Sequence, residues 1–272
     1  PRSDPGACRP RALYPESGRT ARPRPRPAAA GAPPVHPAEA QPPAPRPEPS
    51  VALPGRVLAL GLDEATGVIT RGEGPAGIRG ILQGNPERVN ARRGRGVSFD
   101  GRNDWILMDP DPALDITGAL TVMVLVRVPA AALDADLYMM VWRGDEQGGK
   151  DPYALSIAGS QLVFRRDFPR TVQVAWPLAD LATDEYHVFC GVHRAEEGTL
   201  ELWVDGTRVA IAPAPKAVGY PTGAMRTLVG AMDNGKSQFF RGVIDEVRLF
   251  ARALNADEIA AEAAALQGEP VR

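Results

Sequence analysis

The sequence predicts an all-β protein: a two-sheet antiparallel β-sandwich with a short C-terminal helix, behind a disordered Pro-rich N-terminal tail. Three observations predict it. From Arg56 onward, about a dozen short β-branched and aromatic runs recur at roughly even spacing, separated by Gly, Asp and Asn turns. One helical pattern follows the last run, with Asn255 as cap, Glu258 three residues on and Ala-rich sequence behind. Ahead of Arg56 the composition changes: residues 1–55 hold 16 of the 28 prolines.

Taken in order, residues 1–55 come first. Arg22-Pro23-Arg24-Pro25-Arg26-Pro27 and the prolines at 42, 43, 45 and 47 lack the N–H that helix or sheet interior needs. Little apolar surface is present to offset ordering entropy, so the segment reads as an extended tail or linker. The same Pro-x-x-Pro pattern with Arg also suits aromatic-lined grooves. Val57–Leu60 is the first expected strand. Leu120–Val128 is a long β-branched run and a central strand. Strands are expected over Tyr138–Arg143, Tyr153–Ile157, Gln161–Arg165, Thr171–Trp176 and Glu185–Val192. Thr199–Val209 reads as a hairpin about Asp205-Gly206, since both central positions of a type I′ turn want φ > 0. Leu228-Val229 leads to the last strand, Phe239–Phe250, apolar on both parities and so expected between two layers, with Asp245-Glu246 inside it.

Several phrases carry a family resemblance. Phe240, Gly242, Ile244-Asp245-Glu246-Val247, Arg252, Leu254 and Glu258-Ile259 resemble the last strand and following segment of laminin-G-like, concanavalin A-like jelly-roll domains. In the family's order come Leu62–Gly67 (apolar-Asp-Glu-x-x-Gly), Gly80-Ile81-Leu82 (the family's short second strand), Gly94–Gly101 (its aliphatic-x-Phe-Asp-Gly strand and turn) and Tyr186-His187, with Tyr where relatives carry Trp. Near the end of the 120–128 strand, Leu125 or Val126 stands where many relatives have Trp. The resemblance covers residues 56–268 and leaves 1–55 outside. It implies a non-catalytic binding module for a glycan or an extracellular or cell-envelope protein, outside the cytoplasm. It also implies a structural calcium, with Asp100, Asp104 and Asp245 or Glu246 as candidate ligands. The residues alone leave a second reading open, in which Asp100 and Asp245 bind backbone amides and fasten turns.

Charge and motifs narrow the function. The net charge of −2 divides into a basic tail (8 Arg against 4 acids) and an acidic body, which carries no basic stripe for nucleic acid. No run of about 18 apolar residues marks a membrane span. Two cysteines, Cys8 and Cys190, lack C-x-x-C partners; Cys190 reads as a small buried hydrophobe. Gly230–Ser237 fits a phosphate-loop pattern in full, but strand-like sequence follows it where a helix would have to begin. A glycoside hydrolase on this fold is the enzymatic alternative, yet no E-x-D occurs to set two carboxylates on one strand face. Glu201, Trp203 and Asp205 share a parity and read as an exposed polar face. His36, His187 and His193 read as structural, and Trp142, Trp176 and Trp203 as packed core. A structural or interaction domain without a small ligand is the third reading.

Overall fold

The computed structural model describes residues 53–268, apart from 76, 134–135, 146–150, 168–169 and 217–224. The expected tail lies outside the described residues except for its last three, and Cys8 and His36 lie outside with it. The strands are β1 (Arg56–Leu60), β2 (Ile69–Glu73), β3 (Arg79–Gln83), β4 (Glu87–Ala91), β5 (Gly94–Asp100) and β6 (Trp105–Met108). Next come β7 (Leu120–Arg127), β8 (Leu137–Gly144), β9 (Tyr153–Ala158), β10 (Gln161–Arg166) and β11 (Val172–Pro177). The last are β12 (Tyr186–Arg194), β13 (Thr199–Val204), β14 (Thr207–Pro213), β15 (Arg226–Val229) and β16 (Arg241–Phe250). One helix, α1 (Ala256–Gln267), closes the described chain, and no described helix is long and apolar enough to cross a membrane.

Every pairing is antiparallel, in the order β11-β10-β9-β8-β15-β6-β3-β2-β1-β16-β7-β12-β13-β14. The expected two sheets are joined: Ala59↔Glu73 and Leu60↔Gly72 link them into one ladder, which nearly closes where β11 meets β14. The central strand is β16. It carries β7 along one edge and, in series along the other, β5 and then β1; β4 adds to β5.

Side-chain alternation explains the apolar runs on both parities. Val122, Val124 and Val126 of β7 enter the main core with Ile244, Val247 and Leu249 of β16 and Phe164 of β10. The intervening Met123 and Leu125 face outward, where α1 covers them with Ile259, Ala263 and Leu266. Burying each such aliphatic side chain is worth about 1.5–3 kcal/mol. Cys190 belongs to this outer layer as a buried free thiol, pushed up in pKa chiefly by burial. The helix starts as its sequence foretells: Asn255 Oδ1 accepts from the Glu258 N–H and the Glu258 carboxylate accepts from the Asn255 N–H, both at 2.9 Å.

β2 and β4 carried no clear sequence signal. Only Thr70 and Gly72 of β2 are buried and no residue of β4 is, so these strands exist through their ladders rather than through an apolar pattern.

Candidate functional site

A bulge in β16 sets the layout of its outer face. Ile244 pairs with Val126 and Glu246 with Leu125, so Asp245 is an extra residue opposite no partner. Ile244 and Val247 both reach the core, and Asp245 and Glu246 stand side by side on the outer face. Arg93, from the β4–β5 turn, meets both. Its N–H donates to Asp245 Oδ2 at 2.8 Å and its Nε to Glu246 Oε1 at 3.2 Å, while Nη1 donates to the Ala265 carbonyl near the C-terminus of α1. Arg92 Nε donates to the Gln267 carbonyl at 2.7 Å. The helix has no basic residue in its own last turn, so the β4–β5 turn supplies the cations that its free carbonyls favour. Arg248 pairs with Glu262 of α1 and lies 3.7 Å from Glu246. Asp245 is fully buried and its Oδ1 has no hydrogen-bond partner. Burial foremost, then the neighbouring Glu246 and Asp63, push its carboxyl up to about 8 against the pull of the Arg93 N–H.

The other two calcium candidates sit in the β5–β6 turn. Asp100 Oδ1 accepts from the N–H groups of Arg102 (2.8 Å) and Asn103 (3.4 Å). Asp104 accepts from the Asp100 N–H at 3.0 Å and the Asn85 N–H at 2.8 Å. Asp100 faces Arg241 across the β5–β16 ladder, and Asp245 lies four residues further along, so the structure does not gather the four carboxylates. Oxygens already engaged by N–H donors are a poor match for an ion that takes six to eight. Among the described residues, no three His, Cys, Asp or Glu side chains are grouped to hold a metal ion.

Beyond the C-terminal end of α1 the same outer face opens into a groove of about 440 Å³, a size that suits a small-molecule site. Ser98, Asp100, Arg102, Arg127, Asp184 and Arg241 line it. Register brings them together: Arg241 pairs with Asp100, and Val243 pairs with Ser98 on one side and Arg127 on the other. Gly242 lies so close to the Arg127 carbonyl that a Cβ there would stand 2.5 Å from it. Arg127 rests over the Tyr186 ring, 5.7 Å from its centroid. Asp184 holds the rim through its N–H, which donates to the Val128 carbonyl at 2.9 Å. Ten arginines of the described residues form ion pairs; Arg102, Arg127 and Arg241 are among those that form none. No sequence signal marks these three, which stand 25 and 114 positions apart along the chain. A second concavity of about 270 Å³ is lined by Asp63, Glu64, Arg71 and Glu73. There the Glu64 carboxylate is already taken by Thr70 Oγ1, the Arg71 N–H and Arg88 Nη1.

The remaining polar residues are fastened. Asp151 and Asp167 are 2% and 3% exposed and share Arg165, at 2.5 and 3.1 Å. Burial, with Asp167 adding and Arg165 opposing, pushes Asp151 up to about 6. Buried Arg166 donates to the carbonyls of Pro152, Gly118 and Ile116. The two histidines mark opposite ends of β12. His193 is held below its usual pKa by burial and by Arg166, whereas His187 is held above it, first by its 2.7 Å bond to Asp205. Glu201 departs from its sequence reading. It is 1% exposed rather than on a polar face, because it bonds Trp203 Nε1, Arg194 and Arg208 beside the α1 layer. Trp142 and Trp203 are buried and Trp176 is half buried against the core, as expected. Asp205-Gly206, at φ 49° and 80°, makes the expected tight turn. Gly230–Ser237 is a turn closed by a Met232↔Ser237 bridge and followed by β16, so no helix terminus faces a phosphate.

Comparison with known proteins adds family and fold. A family model described as concanavalin A-like lectin/glucanases superfamily matches residues 100–260. None of the curated proteins matches in sequence. Among solved structures, the binding domain of Paraclostridial Mosquitocidal Protein 1 is similar at 13% identity and TM-score 0.63, over 79% of this chain and 55% of that one. The receptor binding domain of the botulinum neurotoxin C/D mosaic serotype is similar at 11% identity and TM-score 0.62, over 77% and 51%. The binding domain of botulinum neurotoxin DC in complex with SialylT is similar at 11% and 0.61, over 78% and 52%. The chain spans about half the length of these structures, and at such identities the likeness is one of fold.

Proposed function

The chain belongs to the concanavalin A-like lectin/glucanase superfamily, and on that premise we propose that it is a non-catalytic recognition module, its ladder folded as a two-layer jelly-roll sandwich. The ligand site is the groove between β5, β16 and β7, and the partner is a glycan outside the cytoplasm. One observation carries this reading: charged side chains converge on an open concavity whose arginines form no ion pairs. Solved relatives that are binding domains, one of them in complex with SialylT, support recognition over catalysis. So does the place of the close carboxylate pairs Asp151/Asp167 and Asp245/Glu246, which are buried and engaged by arginines. Asp100, Asp104, Asp245 and Glu246 serve in this reading as fasteners of turn and strand rather than as calcium ligands.

A glycan array probed with the chain and with Ser98→Trp, which fills the groove, tests the site. We expect retention on a subset of glycans by the first and none by the second, at equal unfolding midpoints. Equal retention by both would move the site elsewhere, and new reducing ends in a polysaccharide digest would make the protein an enzyme. Thermal unfolding in millimolar Ca²⁺ and in EDTA should coincide. A rise of several degrees with Ca²⁺ would restore the carboxylates as metal ligands.

A further inference from the structure

We infer that the groove is built for an acidic saccharide, a sugar bearing a carboxylate or sulfate beside its hydroxyls; this rests on the groove being the ligand site. The body of the protein is acidic, with 23 basic against 29 acidic residues from position 56 on, so its overall field repels anions. Three guanidiniums left without ion pairs around one concavity run against that field. Arg102 and Arg241 are exposed and Arg127 is half-buried over Tyr186, and none of the three needs a carboxylate partner to be stable there.

The geometry holds these guanidiniums ready for a ligand. Arg127 lies on a strand hydrogen-bonded on both edges, to β16 and β12, and its guanidinium is set over Tyr186. The Arg241 stem lies over Gly101, where an added Cβ would come within 3.0 Å of the Arg241 Cβ. Arg102 sits in the turn that Asp100 fastens. Planar guanidinium forks match the paired oxygens of a carboxylate or sulfate.

The same groove holds acceptors. Asp100 spends Oδ1 on backbone N–H groups, which leaves Oδ2 for a ligand hydroxyl, and Asp184 is exposed on the rim. A neutral sugar would satisfy the acceptors and accept from the guanidiniums but leave their charge uncompensated. An acidic peptide would satisfy the guanidiniums but bring like charge against Asp100 and Asp184. An acidic sugar serves both sets.

Affinity electrophoresis through gels containing matched polymers tests the assignment: polygalacturonate against its methyl ester, and dextran sulfate against dextran. The chain, Arg127→Gln, Arg241→Gln and Ser98→Trp are compared, and the first pair reads carboxylate and the second sulfate. We expect retardation by at least one charged polymer, at least tenfold weaker in its neutral partner and in Arg127→Gln, and falling with added salt. Retardation by neutral and charged polymers alike, unchanged in Arg127→Gln but lost in Ser98→Trp, would overturn the charge inference and leave the groove as a neutral-glycan site. Retardation unaffected by Ser98→Trp would overturn the groove itself. Equal Arg127-dependent binding of a poly-glutamate peptide would make the partner an acidic protein segment, and no retardation by either charged polymer would also defeat the inference. Equal unfolding midpoints for the variants establish that loss of binding is not loss of fold.

Discussion

Near the C-terminal end of α1, Arg93 and Arg248 meet Glu246 and Glu262 with all four side chains buried; further along the same strands, Arg127 and Arg241 share an open groove with Asp100 and Asp184. The residue types are the same, and the difference is water. A charge taken out of water costs several kcal/mol unless it is paired, so every guanidinium beneath the helix is matched to a carboxylate or a carbonyl. At the groove the cost is small, since Arg241 is exposed and Arg127 half-buried over Tyr186, and neither is paired with a carboxylate. Pairing in the first region is therefore a requirement of folding, whereas the charge in the second is available for binding.

The largest break in this contrast should come from Arg93→Met. It leaves Glu246 buried without its closest cation and uncaps α1, and we expect a loss of about 3–5 kcal/mol in urea unfolding. A loss below about 1 kcal/mol would mean that the remaining partners of Glu246, Arg248 among them, suffice.

Asp245→Asn should act in the opposite direction. The folded carboxyl titrates near 8, above its ordinary 3.8, so the folded state keeps a proton that the unfolded chain releases. This contribution to stability is full below about pH 4, falls as pH rises toward 8 and is flat above. The fall up to pH 6 is shared with Asp151, and above it Asp245 shares the fall with His187, whose raised pKa also loses stabilisation as pH rises. Asparagine keeps an acceptor for the Arg93 N–H and carries no charge. The variant should gain on the order of 1–3 kcal/mol at pH 8 and show a shallower fall between pH 6 and 8 than the parent chain. A slope equal to the parent's would assign it to other groups, His187 among them.

The smallest effect sharpens the comparison from the other side. Arg127→Gln and Arg241→Gln should each change stability by no more than about 0.5 kcal/mol. Destabilisation of 2 kcal/mol or more by either would show that the groove arginines hold the fold, as Arg93 does.

Some of this was legible in the sequence. The capping box at Asn255, the turn at Asp205-Gly206 and the rejection of Gly230–Ser237 as a phosphate loop each depend on residues within a few positions of one another. The apolar runs over 120–128 and 239–250 announced strands buried on both faces, which is how β7 and β16 lie. Glu201 was misread because strict alternation marks a face but does not say what covers it; α1 and its neighbours close over that face.

Local pattern, then, determined the all-β class with its terminal helix and the turns, because propensity, caps and turn chemistry act over a few residues; the superfamily was legible only as a resemblance of short phrases. Tertiary structure alone decided the candidate site. One extra residue in β16 puts Asp245 and Glu246 on the same face, and the register of β16 against β5 and β7 brings Arg102, Arg127 and Arg241 to one groove. Both depend on which strand lies beside which, and at what offset, and that is set by packing between segments more than a hundred residues apart.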